Sequence, residues 1–257
     1  MICLLCNSKY FQHMLYPTKF FTSRPQSFVS STSSPSAAAA NGGQLALGLL
    51  AGSSVVLALV RGLITGHWWF FAFVVWNLFL AVFPLGLMLT LRDLQRAGVV
   101  APNRRGRVVT WLWLGMWLLF MPNAPYIITD LFHLRYTDAD LIWYDTLMIF
   151  LCAVAGLLAG VYSTALAHRT LRRLTNVLVA WAVVLACQGL AGFGIYLGRY
   201  VRLNSWDLWS HPGWVAGSLV AAVHTPLAQK MALTYGFALT VIYVAFHIYS
   251  ERKTLIV

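Results

Sequence analysis

Polar side chains that can do acid–base chemistry follow a proline-rich interruption of an apolar stretch. Residues 121–136 read MPNAPYIITDLFHLRY, in which Tyr126, Asp130 and His133 stand at positions i, i+4 and i+7. If an α-helix resumes after the second proline, this spacing places the three side chains on one face. Thr129 or Asp130 can instead cap a new helix. The segment is therefore the first candidate for a functional site.

The partner of Asp130 separates two interpretations of this segment. An aspartate within a membrane costs roughly 2.5–3.5 kcal/mol to insert, so Asp130 is expected to have a partner. One interpretation is a structural ion pair, for which the candidate bases are Arg135, Arg199 and Arg202. The other is an Asp–His site with His133, for acid–base chemistry or a metal ion. Both residues are weak metal candidates, and the sequence leaves open whether the protein binds a cofactor.

The residues before Asp130 predict a broken helix. Residues 108–121 supply 14 helical positions, which is about 21 Å of helix and short of a ~30 Å hydrocarbon core. Pro122 and Pro125 lack backbone donors and disfavour helix at the preceding residue, so we expect the chain to unwind there. Asn123 can satisfy the freed backbone groups or contact a solute. Such breaks occur both as transporter binding sites and as packed kinks.

Two other segments end on the same predicted side as Asp130. WYDTL begins at Trp143 and GIYLGRYVRLNSWD begins at Gly194, and both carry aromatic and charged residues next to an apolar run. We expect these segments to converge on the broken helix and to form a polar cluster on the outer face. The candidate cluster comprises Asn123, Tyr126, Asp130, His133, Tyr144, Asp145, Tyr196, Arg199, Arg202, Asn204 and Asp207.

The composition indicates an integral membrane protein. Of the 257 residues, 60% are hydrophobic and 10% are charged, whereas soluble domains carry about 25% charged residues. The mean hydropathy is +0.71. The net charge of +11 does not indicate nucleic-acid binding, because the basic residues lie in short clusters between apolar runs. The bilayer is thus the predicted environment, with anionic lipid head groups at the basic inner loops; protein partners stay open.

The fold predicted from these runs is all-α, a polytopic transmembrane bundle of about six spans. Residues 213–225 are too short to cross and are interpreted as an interfacial or re-entrant segment. With both termini cytoplasmic, thirteen of the eighteen basic residues lie inside, as the positive-inside rule requires. The apolar runs are residues 45–62, 67–90, 108–128, 143–166, 174–198 and 231–249.

The amino-terminal region differs from the rest of the chain. Residues 1–43 are basic, rich in serine and free of acids, which predicts a disordered or mis-assigned tail before a transmembrane domain at 44–257. Cys3 and Cys6 form a lone CxxC, which is weak support for a metal site. Cys152 and Cys187 fall within apolar runs and are expected to be buried, inert thiols.

Glycine and histidine patterns have structural explanations. Gly156 and Gly160 form one GxxxG, and Gly194 and Gly198 form another, a spacing that allows close helix contact in lipid. The two pairs lie on antiparallel spans, so they need not face each other. His168 belongs to the basic segment HRTLRR, which we expect to meet lipid head groups. The other histidines, scattered singly, are expected to be structural: His67, His211, His224 and His247.

The stretches FMPNAPYIITDLFHL, WYD and GIYLGRYVRLNSWD, in this order, resemble a family of predicted multi-pass bacterial membrane proteins called domain of unknown function 1361. The resemblance covers roughly residues 45–250, with no counterpart for residues 1–43. It implies a helical membrane fold and a bacterial cytoplasmic, or cell inner, membrane. No activity follows from it.

Three classes of function fit the sequence. The favoured interpretation is a membrane protein that handles a small solute or lipid at a polar outer-face site. The first alternative is a membrane enzyme that acts on a lipid-linked or extracytoplasmic substrate through Asp130, His133 and Asp145. The second alternative is a membrane scaffold or assembly factor. Catalytic motifs such as HExxH, GxSxG or a P-loop are missing from the sequence, so it does not decide whether the protein is an enzyme.

Overall fold

The computed structural model of the protein describes residues 35–255. The predicted tail falls largely before this range, so most of it, together with Cys3 and Cys6, lies outside the described residues. Helix α1 begins at Pro35, so residues 35–43 are helical. The described chain consists of helices and their connections, without a strand.

Nine α-helices make up most of the described chain. They are α1 (Pro35–Thr65), α2 (Trp68–Arg96), α3 (Arg104–Phe120), α4 (Asn123–Tyr126), α5 (Ile142–Leu174), α6 (Val177–Tyr196), α7 (Asp207–Ser210), α8 (Pro212–Val223) and α9 (Pro226–Leu255). Two 3₁₀ segments, Ile127–Tyr136 and Ala139–Leu141, join α4 to α5, and a π turn, Leu197–Val201, follows α6. We call the first of these the 3₁₀ segment.

Six stretches of the described chain are long and apolar enough to cross a membrane. Helix α8 is apolar but has only 12 residues, about 18 Å as helix, so it is too short to span. The six-span prediction and the all-α fold class are therefore confirmed. The stretches are Gly42–Thr65, Trp68–Arg96, Arg104–Arg135, Ala139–Leu174, Val177–Val201 and Pro226–Glu251.

Two large apolar cores and one smaller cluster hold the described bundle together, and helices α2 and α5 contribute to both large cores. One core packs α5 against α1, α2 and the 3₁₀ segment, with Met148 and Ile149 fully buried. The other packs the second half of α5 against α3, α6 and α9, around Trp117 and Tyr243. Cys152 and Cys187 are buried free thiols in these cores, as predicted. Helix α5 is thus the central element of the described chain.

The predicted break in the third span occurs at Met121 and Pro122, where α3 ends. The chain does not unwind into an extended segment, however. Pro122 keeps helical dihedrals (φ −61°, ψ −23°), and the backbone continues as a short α-helix and then as 3₁₀ helix. Proline removes one donor but sets φ near −65°, which suits a helix start, so helix type changes while helical direction is kept.

Polar side chains satisfy the carbonyls that the break leaves free. Asn123 donates from Nδ2 to the Phe120 carbonyl at 3.0 Å, and Ser205 donates from its hydroxyl to the Leu119 carbonyl at 3.1 Å. Asn123 Nδ2 also lies 3.3 Å from the Ser205 hydroxyl. Because buried carbonyls without partners are costly, these bonds stabilise the break. They also fix the loop after α6 against the end of α3.

Both GxxxG motifs contact this broken segment, from two sides. A Cβ at Gly194 would lie 2.6 Å from the Pro122 ring, and one at Gly156 would lie 2.7 Å from the Ala124 carbonyl. A Cβ at Gly160 would meet Ala124 at 3.2 Å, and one at Gly198 would meet the Tyr126 ring at 3.1 Å. The motifs therefore hold one shared segment between α5 and α6. Packing was the predicted role, but the shared target was not predicted.

Candidate functional site

A cavity of about 560 Å³ opens at one end of the bundle. The 3₁₀ segment and the π turn form most of its wall, and α2 contributes Phe73. Its described lining contains basic, aromatic and amide side chains but no aspartate or glutamate. The lining residues are Phe73, Tyr126, Phe132, His133, Arg135, Gly198, Arg199, Tyr200, Arg202 and Asn204. We call this space the arginine cavity.

The π turn after α6 positions two arginines of the cavity. Helix α6 widens into i→i+5 geometry at Leu197–Val201, a helix type that is rare and frequent at functional sites. The turn ends at Arg202, which has left-handed dihedrals (φ 60°, ψ 34°). This is the one non-glycine residue with positive φ in the described range, a conformation that costs roughly 1–2 kcal/mol. The backbone thus carries strain where it presents Arg202 to the cavity.

Arg199 lies among aromatic groups of the cavity wall. Its guanidinium carbon is 5.5 Å from the centre of the Phe132 ring, within cation–π range, and it lies beside the Tyr126 hydroxyl. Among the described residues, no carboxylate lies within 4.0 Å of Arg199 or of Arg202, although Arg199 acts electrostatically on Asp130 from a longer distance. Two positive charges therefore face the cavity without a direct counter-ion from the described chain.

His133 lines the cavity with Asp130 behind it. Its Nδ1 lies 3.1 Å from the Asp130 backbone carbonyl and 3.7 Å from the Asp130 carboxylate. The Phe73 ring packs edge-on against the imidazole, with 4.8 Å between the ring centres. Residues three apart eclipse in a 3₁₀ helix, so Asp130 and His133 share one row with Ile127, while Tyr126 starts a different row. The condition for a common α-helical face of Tyr126, Asp130 and His133 is therefore not met, although Tyr126 and His133 line the same cavity.

Asp130 is 3% exposed and takes its direct hydrogen bond from α2. Asn77 donates from Nδ2 to Asp130 Oδ2 at 2.8 Å, whereas Oδ1 has no hydrogen-bond partner in the described structure. Asn77 is nine residues into α2, so Asp130 lies about 14 Å from the start of that helix. The expected ion pair with Arg199 or Arg202 does not form within 4.0 Å in the described chain. The Asn77 side-chain amide is the direct donor to the Asp130 carboxylate instead.

Asp145 forms an ion pair that the sequence analysis missed. Arg61 of α1 donates from Nε to Asp145 Oδ1 at 2.5 Å and from Nη2 to Oδ2 at 2.9 Å. The Arg61 guanidinium also lies 4.1 Å from the centre of the Phe70 ring. Tyr144 does not line the cavity but donates its hydroxyl to the Leu57 carbonyl at 2.8 Å. Asp145 and Tyr144 thus bind α5 to α1.

The missed residues do carry a signal in the sequence. Arg61 is a lone base within an apolar run, and Asn77 is a lone amide within the next one. A single polar group inside a membrane span is expected to have a partner, and each has an aspartate as that partner. The remaining candidates have local roles. The Tyr196 and Tyr200 rings stack with 5.3 Å between their centres. The Asp207 carboxylate accepts a hydrogen bond from the Asn204 backbone N–H at 2.7 Å.

The candidate cluster therefore divides into residues at the cavity and residues with other roles. Tyr126, His133, Arg199, Arg202 and Asn204 line the cavity, with Asp130 buried directly behind His133. Asn123, Tyr144 and Asp145 join separate elements, whereas Tyr196 and Asp207 make local contacts after α6. No group of three or more His, Cys, Asp or Glu side chains suited to a metal ion occurs among the described residues.

His168 lies at the end of the bundle opposite the arginine cavity. It is 2% exposed rather than on a lipid-facing loop, and its Nδ1 lies 2.7 Å from the Tyr243 hydroxyl. Trp181 and His247 pack against its ring at 4.6 Å and 5.4 Å between centres. Helix α5 continues through HRTLRR to Leu174, so one face of this basic segment points into the bundle. His168 is therefore buried, whereas Arg169, Arg172 and Arg173 of the same segment are exposed, so the head-group contact predicted for HRTLRR stays a prediction for these arginines.

The six long apolar helices and the polar cavity between their ends define a polytopic α-helical membrane protein. The chain belongs to the family described as protein of unknown function (DUF1361), which matches residues 76–244, more than half of the sequence. This confirms the resemblance found in the sequence. The matched range contains the broken third span, the 3₁₀ segment and the π turn. Neither a curated protein nor a solved structure matches the chain.

Proposed function

We propose that the protein handles a small anionic solute or lipid at the arginine cavity. The observation that carries this proposal is the pair Arg199 and Arg202, which face a described lining without carboxylates. An unpaired charge near a membrane raises the free energy of the protein. Two arginines without a carboxylate in the described lining therefore favour the binding of an anion. A guanidinium binds phosphate or carboxylate with two parallel hydrogen bonds.

The size and walls of the cavity support the same proposal. Its volume of about 560 Å³ falls within the ~300–1,000 Å³ of typical small-molecule sites. Phe73, Phe132 and Tyr200 supply apolar walls, and Asn204 supplies an amide that can orient a ligand. Polar and basic side chains outnumber the apolar ones in the described lining, which suits a charged ligand better than an apolar one.

The proposed setting is the bacterial cytoplasmic membrane, with both termini inside and the arginine cavity at the outer face. The charge distribution supports this orientation. The end opposite the cavity carries eight arginines near the ends of α2, α3 and α5, and these basic helix ends are proposed to contact anionic lipid head groups. Those arginines are Arg92, Arg96, Arg104, Arg105, Arg107, Arg169, Arg172 and Arg173.

The experiment is a binding titration on the protein purified in a neutral detergent. The probes are glycerol 3-phosphate and dioleoyl phosphatidylglycerol in mixed micelles, with affinity measured by calorimetry. We expect Arg199→Gln and Arg202→Gln each to weaken binding about tenfold, since a charged hydrogen bond contributes about 1.5–3 kcal/mol. Arg173→Gln, an exposed arginine at the opposite end, is the matched control. Equal affinities in all four proteins would contradict the proposal.

A second candidate function is acid–base catalysis on a ligand held in the same cavity. The observation that favours it is the position of His133, which lines the cavity while its Nδ1 side faces Asp130. The Asp130 backbone carbonyl beside Nδ1 can orient the imidazole ring, and a histidine held in this way can transfer a proton to or from a ligand. His133→Gln would then keep anion binding but lose turnover of a bound phosphate ester. A variant that loses binding as well would argue against this candidate.

A further inference from the structure

A row of aromatic rings leaves the arginine cavity along the surface of the bundle. Along α2, Trp76 contacts Phe79 at 5.7 Å and Phe79 contacts Phe83 at 5.8 Å between ring centres. Phe83 in turn contacts Phe120 of α3 at 4.7 Å. We call these four residues the aromatic ladder. Trp76 is 51% exposed and Phe79 is 52% exposed, so the outer face of the ladder is open to lipid.

The ladder is continuous with the cavity at two points. Phe73 lines the cavity and stands one helical turn before Trp76 on α2. Trp206 packs edge-on against Trp76 at 6.0 Å, and it follows Asn204, another lining residue, by two positions. A ligand that lies along α2 can therefore contact the cavity and the ladder at once.

The length of this path matches one leaflet of a bilayer. From Phe73 to Phe83 there are ten helical steps, which is about 15 Å along α2. The hydrocarbon core is about 30 Å thick, so the path covers about half of it. It runs from the end that holds Arg199 and Arg202 towards the middle of the bundle. This is the layout of one lipid molecule, with a charged head at the surface and a chain directed inward.

We infer that the occupant of the arginine cavity is an anionic lipid whose head group contacts Arg199 and Arg202 and whose chain lies along the aromatic ladder. This inference rests on the proposed function and specifies its ligand. Charge complementarity selects a net-negative head group, and the exposed rings supply apolar contact area for the chain. A free anion of the same chemistry would use the arginines and would gain nothing from Trp76 or Phe79.

The test compares ligands with and without a chain on ladder variants. Glycerol 3-phosphate, dioleoyl phosphatidylglycerol and dioleoyl phosphatidylcholine are titrated into the detergent-purified protein and into Phe79→Ala, Phe79→Leu and Arg202→Gln. The matched control is Trp111→Ala, since Trp111 is a 44% exposed aromatic on α3 outside the ladder. Thermal unfolding verifies that each variant stays folded. If Phe79→Ala is unfolded, Phe79→Leu replaces it in the comparison.

We expect phosphatidylglycerol to bind at least tenfold more tightly than either other probe. Phe79→Ala should weaken phosphatidylglycerol at least fivefold and leave glycerol 3-phosphate unchanged, whereas Arg202→Gln should weaken both. If both ligands bind equally well and Phe79→Ala changes neither, the inference is overturned but the proposed function stands. Equal losses in Phe79→Ala and Trp111→Ala would indicate general lipid contact and also overturn it. If Arg202→Gln changes nothing, the proposed function itself fails.

Discussion

Arg61 and Asp145 form a bidentate ion pair between α1 and α5, with Asp145 fully buried and Arg61 11% exposed on their side chains. Each lies within about 6 Å of the end of its helix, on the side of the bundle where α1 turns into α2. The pair joins the first described helix to the central one. It provides a stability test that is independent of any ligand.

Breaking this pair on one side should destabilise the protein strongly. We expect Arg61→Gln and Asp145→Asn each to lower the free energy of unfolding by about 3–5 kcal/mol, because each leaves a buried charge without its partner. The double change should cost less than the sum of the two. Detergent unfolding titrations of the four proteins measure the coupling. The control is Arg92→Gln, whose exposed pair with Asp93 should contribute under about 1 kcal/mol.

The partner of Asp130 is tested in a similar way. Asn77→Leu should lower the free energy of unfolding by about 1–3 kcal/mol, because the buried carboxylate loses its direct donor. Combined with Asp130→Leu, it should show strong coupling, whereas Arg202→Gln with Asp130→Leu should be additive. Coupling with Arg202 and not with Asn77 would mean that an ion pair at Asp130 forms after all.

The glycine contacts predict a steric effect at the broken span. Gly156→Ala should destabilise by about 1–3 kcal/mol, because the new methyl group would lie 2.7 Å from the Ala124 carbonyl. Gly115→Ala is the matched control in α3, since nothing lies within 4 Å of its Cβ position. It should stabilise by about 0.5–1 kcal/mol through helix propensity alone. Similar effects of both changes would show that the close packing is not required.

The proposed orientation is tested by labelling with an impermeant thiol reagent in intact cells. Cysteines at Arg105 and Arg172 should be protected, and one at Asp138 should react, because the first two lie at the basic end of the bundle and the third follows the 3₁₀ segment. Reaction at Arg105 in sealed cells would reverse the proposed topology.

The labelling background is simple to prepare. Cys152 and Cys187 are buried and can stay in place, while Cys3 and Cys6 are replaced by serine. Permeabilised cells provide the control, in which all three introduced cysteines should react. A position that stays unreactive there is sterically shielded and is moved to a neighbouring exposed residue.

The class of protein, the six spans, the short apolar helix before the last span and the position of the break could all be predicted from the amino-acid sequence alone. These features depend on local quantities. Twenty apolar residues cover a bilayer wherever they occur, and Pro122 lacks a donor in any context. The use of Asn123 to satisfy freed carbonyls followed from the same local chemistry and is confirmed.

Which side chains form hydrogen bonds and ion pairs with one another depends on the tertiary structure. Each residue step turns a helix by about 100° and advances it by about 1.5 Å, so small differences in rotation and depth select one partner over another. This is why Asp130 bonds to Asn77 instead of an arginine, and why Asp145 pairs with Arg61. Helix type mattered too, since the change to 3₁₀ geometry moved Tyr126 off the row of Asp130 and His133. The sequence analysis named five of the ten described lining residues as candidates, and the packing of α5 and α6 around the broken span determines which residues line the cavity.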